Sequence, residues 1–564
     1  MIEQGISVGM REAAGRRPFR IPGGWLGILP FLAVLTLLFL VPVVTLLKSA
    51  FGDGAFTLAH FARAVEVPVY RSVLLTTLMI SGIVAILAVA MSYPLAYLMA
   101  TSRNTTRNIL LVVVLLPFWT SSLVRTTAWI ILLQSNGVLN KLLMGSGLTE
   151  SPIAFVYNMS GVLIGMTHVL MPFVVLPLYA SFRALDASTV RAAEGLGAGS
   201  VTTFRRIIFP LTAPGVVAGA MIVFMNAVGF YITPALMGGP AQTMIAQMIA
   251  NNIIRELNWG FAAALAVILL TVTLGLFALF QRIFGLERLI SGSGSKSAEP
   301  FGTDHRRSAG GWVSVALGLV VAAFLIAPIL IVFPMSLGSS PFLTFPPESY
   351  SFRWYENFFA ASKWMNALFR SLQIAGITVV VSLVIGTAAA VGLTRIDKRW
   401  RGWLEALFIL PMIVPVIILS IGLYYLLVPI GLVGTIWGLA LGHIVLATPY
   451  VFITVRASLA SFDRNLELAA QGLGASWSTM FRRVMLPCIM PGILGGAIFA
   501  FITSFDDVVL ALFLTNVRSR TLPKLMYEGV AHEIDPTIIA ASGLIILVTV
   551  LVLGANLLIA RRKS

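Results

Sequence analysis

The sequence predicts an all-α polytopic membrane protein that consists of two parallel six-helix repeats. Hydrophobic residues make up 58% of the chain and charged residues 11%, and the mean hydropathy is +0.95. A soluble protein with so little charge would expose a large apolar surface to water. Apolar segments of about 20 residues, the length that crosses a bilayer, recur along the whole chain. The second half of the chain also repeats a long segment of the first half.

Six membrane spans are predicted in each half of the chain. They lie near 25–48, 70–101, 108–134, 153–183, 206–237 and 260–284, and then near 312–336, 367–394, 402–428, 433–460, 483–514 and 538–560. The segment between the sixth and seventh spans is rich in Ser, Gly and charged residues, which is typical of a flexible tether. The predicted organisation is a tail (1–24), a first membrane domain (25–286), a linker (287–311) and a second membrane domain (312–564).

The net charge of +16 is explained by topology and does not require nucleic acid as a partner. Basic residues collect in particular loops, and these alternate with poorly basic loops, as the positive-inside rule requires. The pattern predicts a multi-pass membrane protein with both termini in the cytoplasm. Cys488 is the only cysteine, which excludes an intramolecular disulfide and a thiolate metal cluster.

The internal repeat covers residues 161–224, which align without a gap with residues 438–501. Of these 64 positions, 23 are identical. Because each half has an even number of spans, the two repeats run in the same direction through the membrane. The sequence therefore predicts a pseudo-dimer around a central pathway.

The most similar part of the repeat is polar and precedes the fifth span of each half. The first copy runs from Val190 to Gly215 and the second from Glu467 to Gly492. Each contains an Ala-Ala pair, the sequence Gly-Leu-Gly-Ala, a Phe-Arg-Arg anchor and two prolines. This pattern predicts a short helix that ends in left-handed geometry at Gly197 or Gly474, a basic membrane anchor and a new span. Because alanine has a small side chain, another surface could approach the helix closely at the Ala-Ala pair.

These two segments resemble the EAA loop of ABC-importer permeases, which combines Glu-Ala-Ala, a downstream Gly and a Leu-Pro. In that family the loop forms a coupling helix that docks in a groove of the ATPase subunit. The glutamate of the pattern is replaced by Arg191 in the first copy and by Leu468 in the second. The resemblance implies the fold of a type I ABC-importer transmembrane domain. It assigns ATPase coupling to Arg191, Ala192, Ala193, Glu194, Gly197, Glu467, Ala469, Ala470 and Gly474.

The resemblance also implies the partners of the chain. A dimer of ABC ATPase subunits would bind ATP and Mg, since the chain contains no Gly-x-x-x-x-Gly-Lys-Ser/Thr phosphate loop. A periplasmic solute-binding protein would deliver a small-molecule substrate, and the two halves would operate by alternating access. We therefore expect a permease that lies in contact with membrane lipid. This permease would not itself be an enzyme and would hold no cofactor.

A finer resemblance concerns the solute. The segments from Leu115 to Trp129 and from Tyr231 to Gly239 look like the first permease of spermidine/putrescine importers. The segment from Thr503 to Asp507 looks like the second permease of the same systems. A fused permease of polyamine type is implied, although related permeases handle opines, amino-acid derivatives and other small solutes.

Asp506 and Asp507 are adjacent acids inside the predicted span 483–514. A carboxylate is costly in a bilayer, so such residues usually face a pathway or a partner. We predict that they lie on the path of a cationic substrate, together with the rings of Trp119 and Tyr231. Helix-end capping or an ion pair with an arginine remain alternatives for the acids, and an interfacial aromatic belt remains one for the rings.

Two other classes of function are considered. Twelve spans in two parallel halves also describe a secondary transporter of major-facilitator-like architecture, which the paired polar segments argue against. A membrane-embedded enzyme would need a cluster of His, Cys or acidic residues at membrane depth. The histidines show no spacing suited to a metal site, and His168 and His443 are predicted to be hydrogen-bonded packing residues.

Overall fold

The computed structural model describes residues 24–52, 56–284, 309–341, 345–531 and 535–563. The predicted tail up to residue 23 and residues 287–308 of the predicted linker lie outside these ranges. Within the described residues the chain consists of helices and loops, with one isolated antiparallel bridge between Gly338 and Tyr350. The predicted all-α class is confirmed.

The first half of the described chain contains thirteen α-helices. They are α1 (Gly24–Ala50), α2 (Ala59–Glu66), α3 (Pro68–Thr101), α4 (Asn104–Trp119), α5 (Ser122–Leu133), α6 (Val138–Gly145), α7 (Met159–Leu170), α8 (Pro172–Arg183), α9 (Ala187–Gly195), α10 (Ser200–Val228), α11 (Ile232–Met237), α12 (Ile245–Ile254) and α13 (Trp259–Phe284).

The second half of the described chain contains eleven. They are α14 (Ala309–Ser336), α15 (Arg353–Ala360), α16 (Ser362–Leu393), α17 (Lys398–Ile413), α18 (Val416–Leu427), α19 (Ile436–Ala460), α20 (Arg464–Gly472), α21 (Trp477–Phe505), α22 (Val509–Leu514), α23 (Leu522–Ala531) and α24 (Thr537–Lys563).

The internal repeat is visible in the lengths of these helices. The pairs α4 and α17, α5 and α18, and α9 and α20 have 16, 12 and 9 residues in both copies. The pairs α11 and α22, and α12 and α23, have 6 and 10 residues in both copies. Two copies of one helical plan therefore follow each other along the chain, as the repeat predicts.

Eight helices of the described chain are long and apolar enough to cross a membrane. They are α1, α3, α10, α13, α14, α16, α19 and α21. Three bent pairs raise the number to as many as eleven, namely α4 with the segment Ser122–Gly145, α7 with α8, and α17 with α18. The twelfth predicted span corresponds to α24, whose described apolar part, Thr537–Leu551, is shorter.

The continuous spans predicted at 108–134 and 402–428 are wrong. The chain bends by 99° between α4 and α5 and by 93° between α17 and α18. Pro415 explains the second bend, because a residue that precedes proline is pushed out of helical geometry. Thr120 has extended backbone at the first bend. Apolar composition carries no information about such a short interruption.

The spans predicted at 206–237 and 483–514 also end earlier than expected. Helix α10 stops at Val228 and α21 stops at Phe505, and each is followed by a separate six-residue helix. Asp506 and Asp507 therefore lie between two helices and not inside one.

One compact unit comprises Met1–Val41, Leu372–Met412 and Trp437–Phe505, of which the structure describes residues from Gly24 onward. The Phe31 ring of α1 stacks on Phe408 of α17, with the ring centroids 4.4 Å apart. A Cβ atom added to Gly27 would lie 2.7 Å from the carbonyl oxygen of Ala388 in α16. Helix α1 thus contacts α16 backbone to backbone, as membrane helices do at small residues.

The other compact unit comprises Pro42–Ser371, Ile413–Ile436 and Asp506–Ser564. Here α14 packs against α3, where a Cβ atom on Gly318 would lie 2.9 Å from the Leu98 side chain. The buried side chains of Leu95, Val321 and Leu325 belong to the same apolar cluster. The first helix of each half therefore packs on helices of the other half. The predicted domain bounds follow the sequence repeat and stay a prediction.

The close contact at Gly27 predicts a position-specific loss of stability. The replacement Gly27→Val should lower the free energy of unfolding by about 1–3 kcal/mol, because the new side chain overlaps the α16 backbone. Thermal unfolding of the purified full chain in detergent measures the effect. Gly376→Val in α16 is the matched control, since no atom lies within 4 Å of its added Cβ. Equal melting temperatures for the two variants would contradict the contact.

Candidate functional site

The helices α9 and α20, here called the elbow helices, begin with the same cap. The Asp186 carboxylate accepts a hydrogen bond of 2.9 Å from the Ser188 amide, and the Asp463 carboxylate accepts one of 2.9 Å from the Asn465 amide. The pKa of Asp186 is lowered because hydrogen bonds from the Ser188 side chain and amide stabilise the charged form. A carboxylate at this position satisfies a donor that the first helical turn leaves open.

Both elbow helices also end in the same way. Gly197 has φ +82° and Gly474 has φ +78°, so the predicted left-handed geometry is confirmed at both positions. The Ala198 amide donates to the Ala193 carbonyl at 3.0 Å in the first copy, and the corresponding bond in the second copy is also 3.0 Å. A side chain at either glycine would strain this turn.

The predicted coupling residues divide into two groups. The exposed ones are Arg191, Ala192, Glu194, Gly197, Ala469 and Gly474. The buried or half-buried ones are Ala193, Ala470 and Glu467. The two groups lie on opposite sides of the elbow helices.

The inner side of each elbow helix attaches it to its own chain. Val190 is fully buried in an apolar cluster of the first half, and Ala193 is buried beside it on the same face. In the second copy Ala470 is buried, and Glu467 forms an ion pair of 2.9 Å with Arg395. One alanine of each pair therefore keeps the helix close to the chain and does not leave space for an external surface.

The outer side of each elbow helix presents small and apolar residues. Ala192 and Leu196 are four positions apart, as are Ala469 and Leu473, so each pair shares a helical face. Both leucines are 89% exposed. These leucines are not among the predicted coupling residues, although their identity within the repeated Gly-Leu-Gly-Ala is a usable signal. A solvent-exposed leucine in the same place twice is typical of a contact with another protein.

A widened helical turn follows each elbow helix. The π-helical segments Phe204–Ile208 and Phe481–Met485 occupy equivalent positions, and their arginines are exposed. Pro210 and Pro487 follow directly in α10 and α21. Proline removes an amide donor and crowds the preceding turn, so the helix accommodates it by widening. The predicted basic segment and proline-rich span start are present in both copies.

Asp506 and Asp507 both act as helix caps. The Oδ2 atom of Asp506 accepts a hydrogen bond of 3.1 Å from the Ser122 amide at the start of α5. The Oδ2 atom of Asp507 accepts one of 3.1 Å from the Ala511 amide in α22. The capping interpretation, which the sequence left open, therefore describes their geometry. A helix start carries partial positive charge and favours a carboxylate there.

Asp506 also lies within electrostatic reach of Arg125 in α5. The Arg125 guanidinium is buried and donates to the carbonyl oxygens of Ser121 and Val169 at 3.4 and 3.3 Å. The Oδ1 atom of Asp506 makes no well-aligned hydrogen bond with a described residue, although the Ser121 side chain is close. One carboxylate oxygen thus caps a helix and the other retains the capacity to accept a hydrogen bond.

The equivalent position in the other copy is apolar. Alignment of the repeat places Gly229 opposite Asp506, and the equal lengths of α4 and α17 place Pro415 opposite Ser121. A Cβ atom on Gly229 would lie 2.6 Å from the Pro415 ring. In both copies, the residue that follows the fifth span therefore lies at a helix break of the other copy. Asp506 caps the break between α4 and α5, and Gly229 packs tightly against Pro415 at the break between α17 and α18.

The predicted aromatic residues occupy two different contacts. Trp119 is the last residue of α4, at the break that Asp506 caps, and its Nε1 atom is buried without a hydrogen-bond partner in the described chain. The Tyr231 hydroxyl lies 3.1 Å from the Tyr527 hydroxyl. His168 bonds to the Leu325 carbonyl, and His443 bonds to the Ser504 hydroxyl, which confirms both as hydrogen-bonded packing residues.

Two parallel helical repeats, each with a capped elbow before a proline-opened span, define a polytopic membrane protein of the transport-permease class. A family model described as "Binding-protein-dependent transport system inner membrane component" matches residues 92–285 and 382–564. The chain belongs to this family, with two copies of its domain, and is a permease component of an ABC importer. The alternative of a major-facilitator-like secondary transporter is thereby set aside.

Three curated relatives illustrate the similarity. The spermidine/putrescine transport system permease protein PotB of Salmonella typhimurium is 37% identical over 45% of this chain and 88% of the relative. The permease protein PotC of the same type of system in Escherichia coli is 30% identical over 43% of this chain and 92% of the relative. A probable ABC transporter permease protein, y4fN, of Sinorhizobium fredii is 28% identical over 72% of both chains.

The Asp506 cap predicts a graded effect on stability. Asp506→Ala should lower the free energy of unfolding by about 1.5–3 kcal/mol, because the Ser122 amide loses a charged acceptor. Asp506→Asn should lower it less, since the amide oxygen can still accept that bond. Thermal unfolding of both variants measures the difference, and equal values for Asp506→Ala and the unaltered protein would refute the cap.

Proposed function

We propose that the chain carries a small cationic solute of polyamine type from the periplasm to the cytoplasm by alternating access. In this proposal the elbow helices α9 and α20 dock with the two subunits of a separate ABC ATPase, which binds ATP and Mg. A periplasmic solute-binding protein delivers the solute. The elbows face the cytoplasm, and both termini of the chain lie on that side of the bacterial inner membrane.

The observation that carries the proposal is the duplication of one elbow geometry. Each copy has an aspartate cap, a left-handed glycine and an outward face with an alanine and an exposed leucine. Anchoring on the membrane would require only the apolar inner side and the basic segment. A small residue beside an exposed leucine instead suits a groove on a partner protein. The backbone of the elbow helix can approach the partner closely at the alanine, while the leucine side chain is buried in the groove.

The duplication also fits a partner that is itself a dimer. Two equivalent grooves on two identical ATPase subunits would accept two nearly equivalent elbows. Closure of the ATPase dimer would then move both elbows together. Force reaches the membrane helices through the buried inner face of α9 and the ion pair between Glu467 and Arg395.

The solute class is supported by two independent considerations. Two of the relatives named above are permeases of spermidine/putrescine systems. The Oδ1 atom of Asp506, which lies at a helix break and makes no well-aligned hydrogen bond with a described residue, is an acceptor for an ammonium group. In the proposed path, Trp119 and Tyr231 offer ring faces to the cation, and Asp507 adds negative charge.

Docking of the elbows predicts that bulk on their outer face uncouples transport. Ala192→Trp together with Ala469→Trp should weaken ATPase binding by about tenfold or more, because the large rings prevent close approach. Co-purification with the ATPase and uptake in reconstituted vesicles measure the effect. Ala192→Ser with Ala469→Ser is the size-matched control and should behave as the unaltered chain. Binding of the ATPase by the tryptophan variant with unaltered affinity would contradict the docking proposal.

The solute path predicts that charge, and not the hydrogen bond, matters at Asp506. Asp506→Asn should reduce uptake of radiolabelled spermidine by about tenfold, since a charge-assisted contact is worth about 1.5–3 kcal/mol. Its thermal stability should stay close to that of the unaltered chain. If Asp506→Asn transports spermidine at the normal rate, this residue is a cap only, and it does not lie on the solute path.

A further inference from the structure

A cavity of about 390 Å³ lies within the compact unit that contains α16, α17, α19 and α20. Its walls come from the end of α16, the start of α17, the end of α19 and the start of the elbow helix α20. Four of the ten lining residues are cations, namely Lys398, Arg401, Arg456 and Arg464, and none is an acid. The volume is in the range of small-molecule sites.

Among the described residues, Arg456 is the one cation of these four that forms an ion pair with an acidic side chain. Arg456 forms an ion pair with Glu405. Arg401 donates to the carbonyl oxygens of Thr394 and Ile396, which are neutral acceptors. Its Nε atom is buried and has no hydrogen-bond partner in the described chain.

The two remaining cations, Lys398 and Arg464, line the cavity with exposed side chains. Asp463 precedes Arg464, but its carboxylate caps α20 through the Asn465 amide. The cavity therefore offers about three positive charges to an anion. Arginine forks and a lysine ammonium are the donors that bind phosphate best in proteins.

The rest of the wall is mainly apolar. It is formed by Ala390, Leu393, Leu459, Ala460 and Phe462, with Thr394 as the remaining polar residue. A wholly water-soluble anion would gain little from such a surface. A ligand with a phosphate and an adjoining hydrocarbon chain would use both parts of the wall.

Three of the four cations are specific to the second copy. Asn104, Tyr179 and Ala187 occupy the positions of Lys398, Arg456 and Arg464 in the first copy. Arg107 alone corresponds to a cation, Arg401. Because both copies have an elbow helix, the elbow itself does not require the charges of Lys398, Arg456 and Arg464.

We propose that this cavity binds the phosphate group of an anionic phospholipid and so links the elbow helix α20 to the start of α17. The lipid phosphate would bridge Arg464 on α20 to Lys398 and Arg401 on α17, while an acyl chain contacts Leu393 and Leu459. The proposal rests on the proposed function only in that α20 lies at the cytoplasmic membrane surface. A phospholipid of that leaflet then reaches the cavity from the bilayer.

Lipid retention tests the proposal. The full chain is purified into nanodiscs of phosphatidylcholine that contain a minority of phosphatidylglycerol, and native mass spectrometry counts the phosphatidylglycerol retained on the protein. Lys398→Gln with Arg464→Gln should reduce the affinity for phosphatidylglycerol by more than about tenfold, since each basic residue contributes about fivefold. Both residues are exposed, so the folded structure should persist.

The matched control removes two arginines of the first copy, one near the start of α4 and one at the end of α8. Arg107→Gln with Arg183→Gln makes the same change in net charge and should leave retention unaltered. Equal retention by the Lys398/Arg464 variant and the unaltered chain would overturn the proposal, as would equal losses in both variants. Inorganic phosphate, titrated into protein without phosphatidylglycerol, separates the two sources of phosphate. Binding of inorganic phosphate that depends on Lys398 and Arg464, with unchanged lipid retention, would assign the cavity to a soluble anion and overturn the lipid.

The assay contains no ATPase and no transported solute. Failure of lipid retention would therefore leave the docking proposal unaffected. Failure of ATPase docking would likewise leave the retention result unaffected.

Discussion

Each elbow helix is nine residues long, and it depends on closure of its own backbone at both ends. An isolated helix of that length is unstable in water. Asp186 and Asp463 satisfy donors at the start, and Gly197 and Gly474 turn the chain back so that the last carbonyls are satisfied. Since the capping aspartates and the glycine turns belong to the segment itself, the side chains of the outer face are not needed to stabilise the helix.

This closure explains how one plan is reused with different inner contacts. The first elbow is attached by Val190 in an apolar cluster and the second by the ion pair between Glu467 and Arg395. The outer faces nevertheless keep the same alanine and the same exposed leucine. Two exposed positions of each elbow, the alanine and the leucine, thus stay the same although exposed Arg191 is replaced by Leu468 and the attachment to the chain differs. Retention of this alanine and leucine is what a pair of equivalent docking partners would require. The same contrast recurs at the helix breaks, where Asp506 meets a peptide amide and Gly229 meets Pro415.

Much of this arrangement could be predicted from the sequence, because the same pattern of residues occurs in both halves of the chain. The helical class, the elbow helices and the left-handed glycines follow from composition, spacing and glycine position. The sharp bends did not follow, because a break of two residues leaves the hydropathy of a 20-residue window unchanged. Pro415 was a usable sign of one bend, whereas Thr120 carries no comparable signal. The burial of Ala193 and the exposure of Leu196 depend on which side of the helix meets the chain, and the sequence of the elbow does not encode that directly.

Site-specific crosslinking can detect the contact proposed here between the outer faces of both elbows and an ATPase. A photoreactive amino acid at Leu196 or at Leu473, in membrane vesicles that contain the ATPase, should crosslink to the ATPase at both positions. The same group at the buried Val190 should not. Crosslinks to lipid alone from both leucine positions would contradict the account, because the elbows would then lie on the membrane surface and not in a groove of a partner.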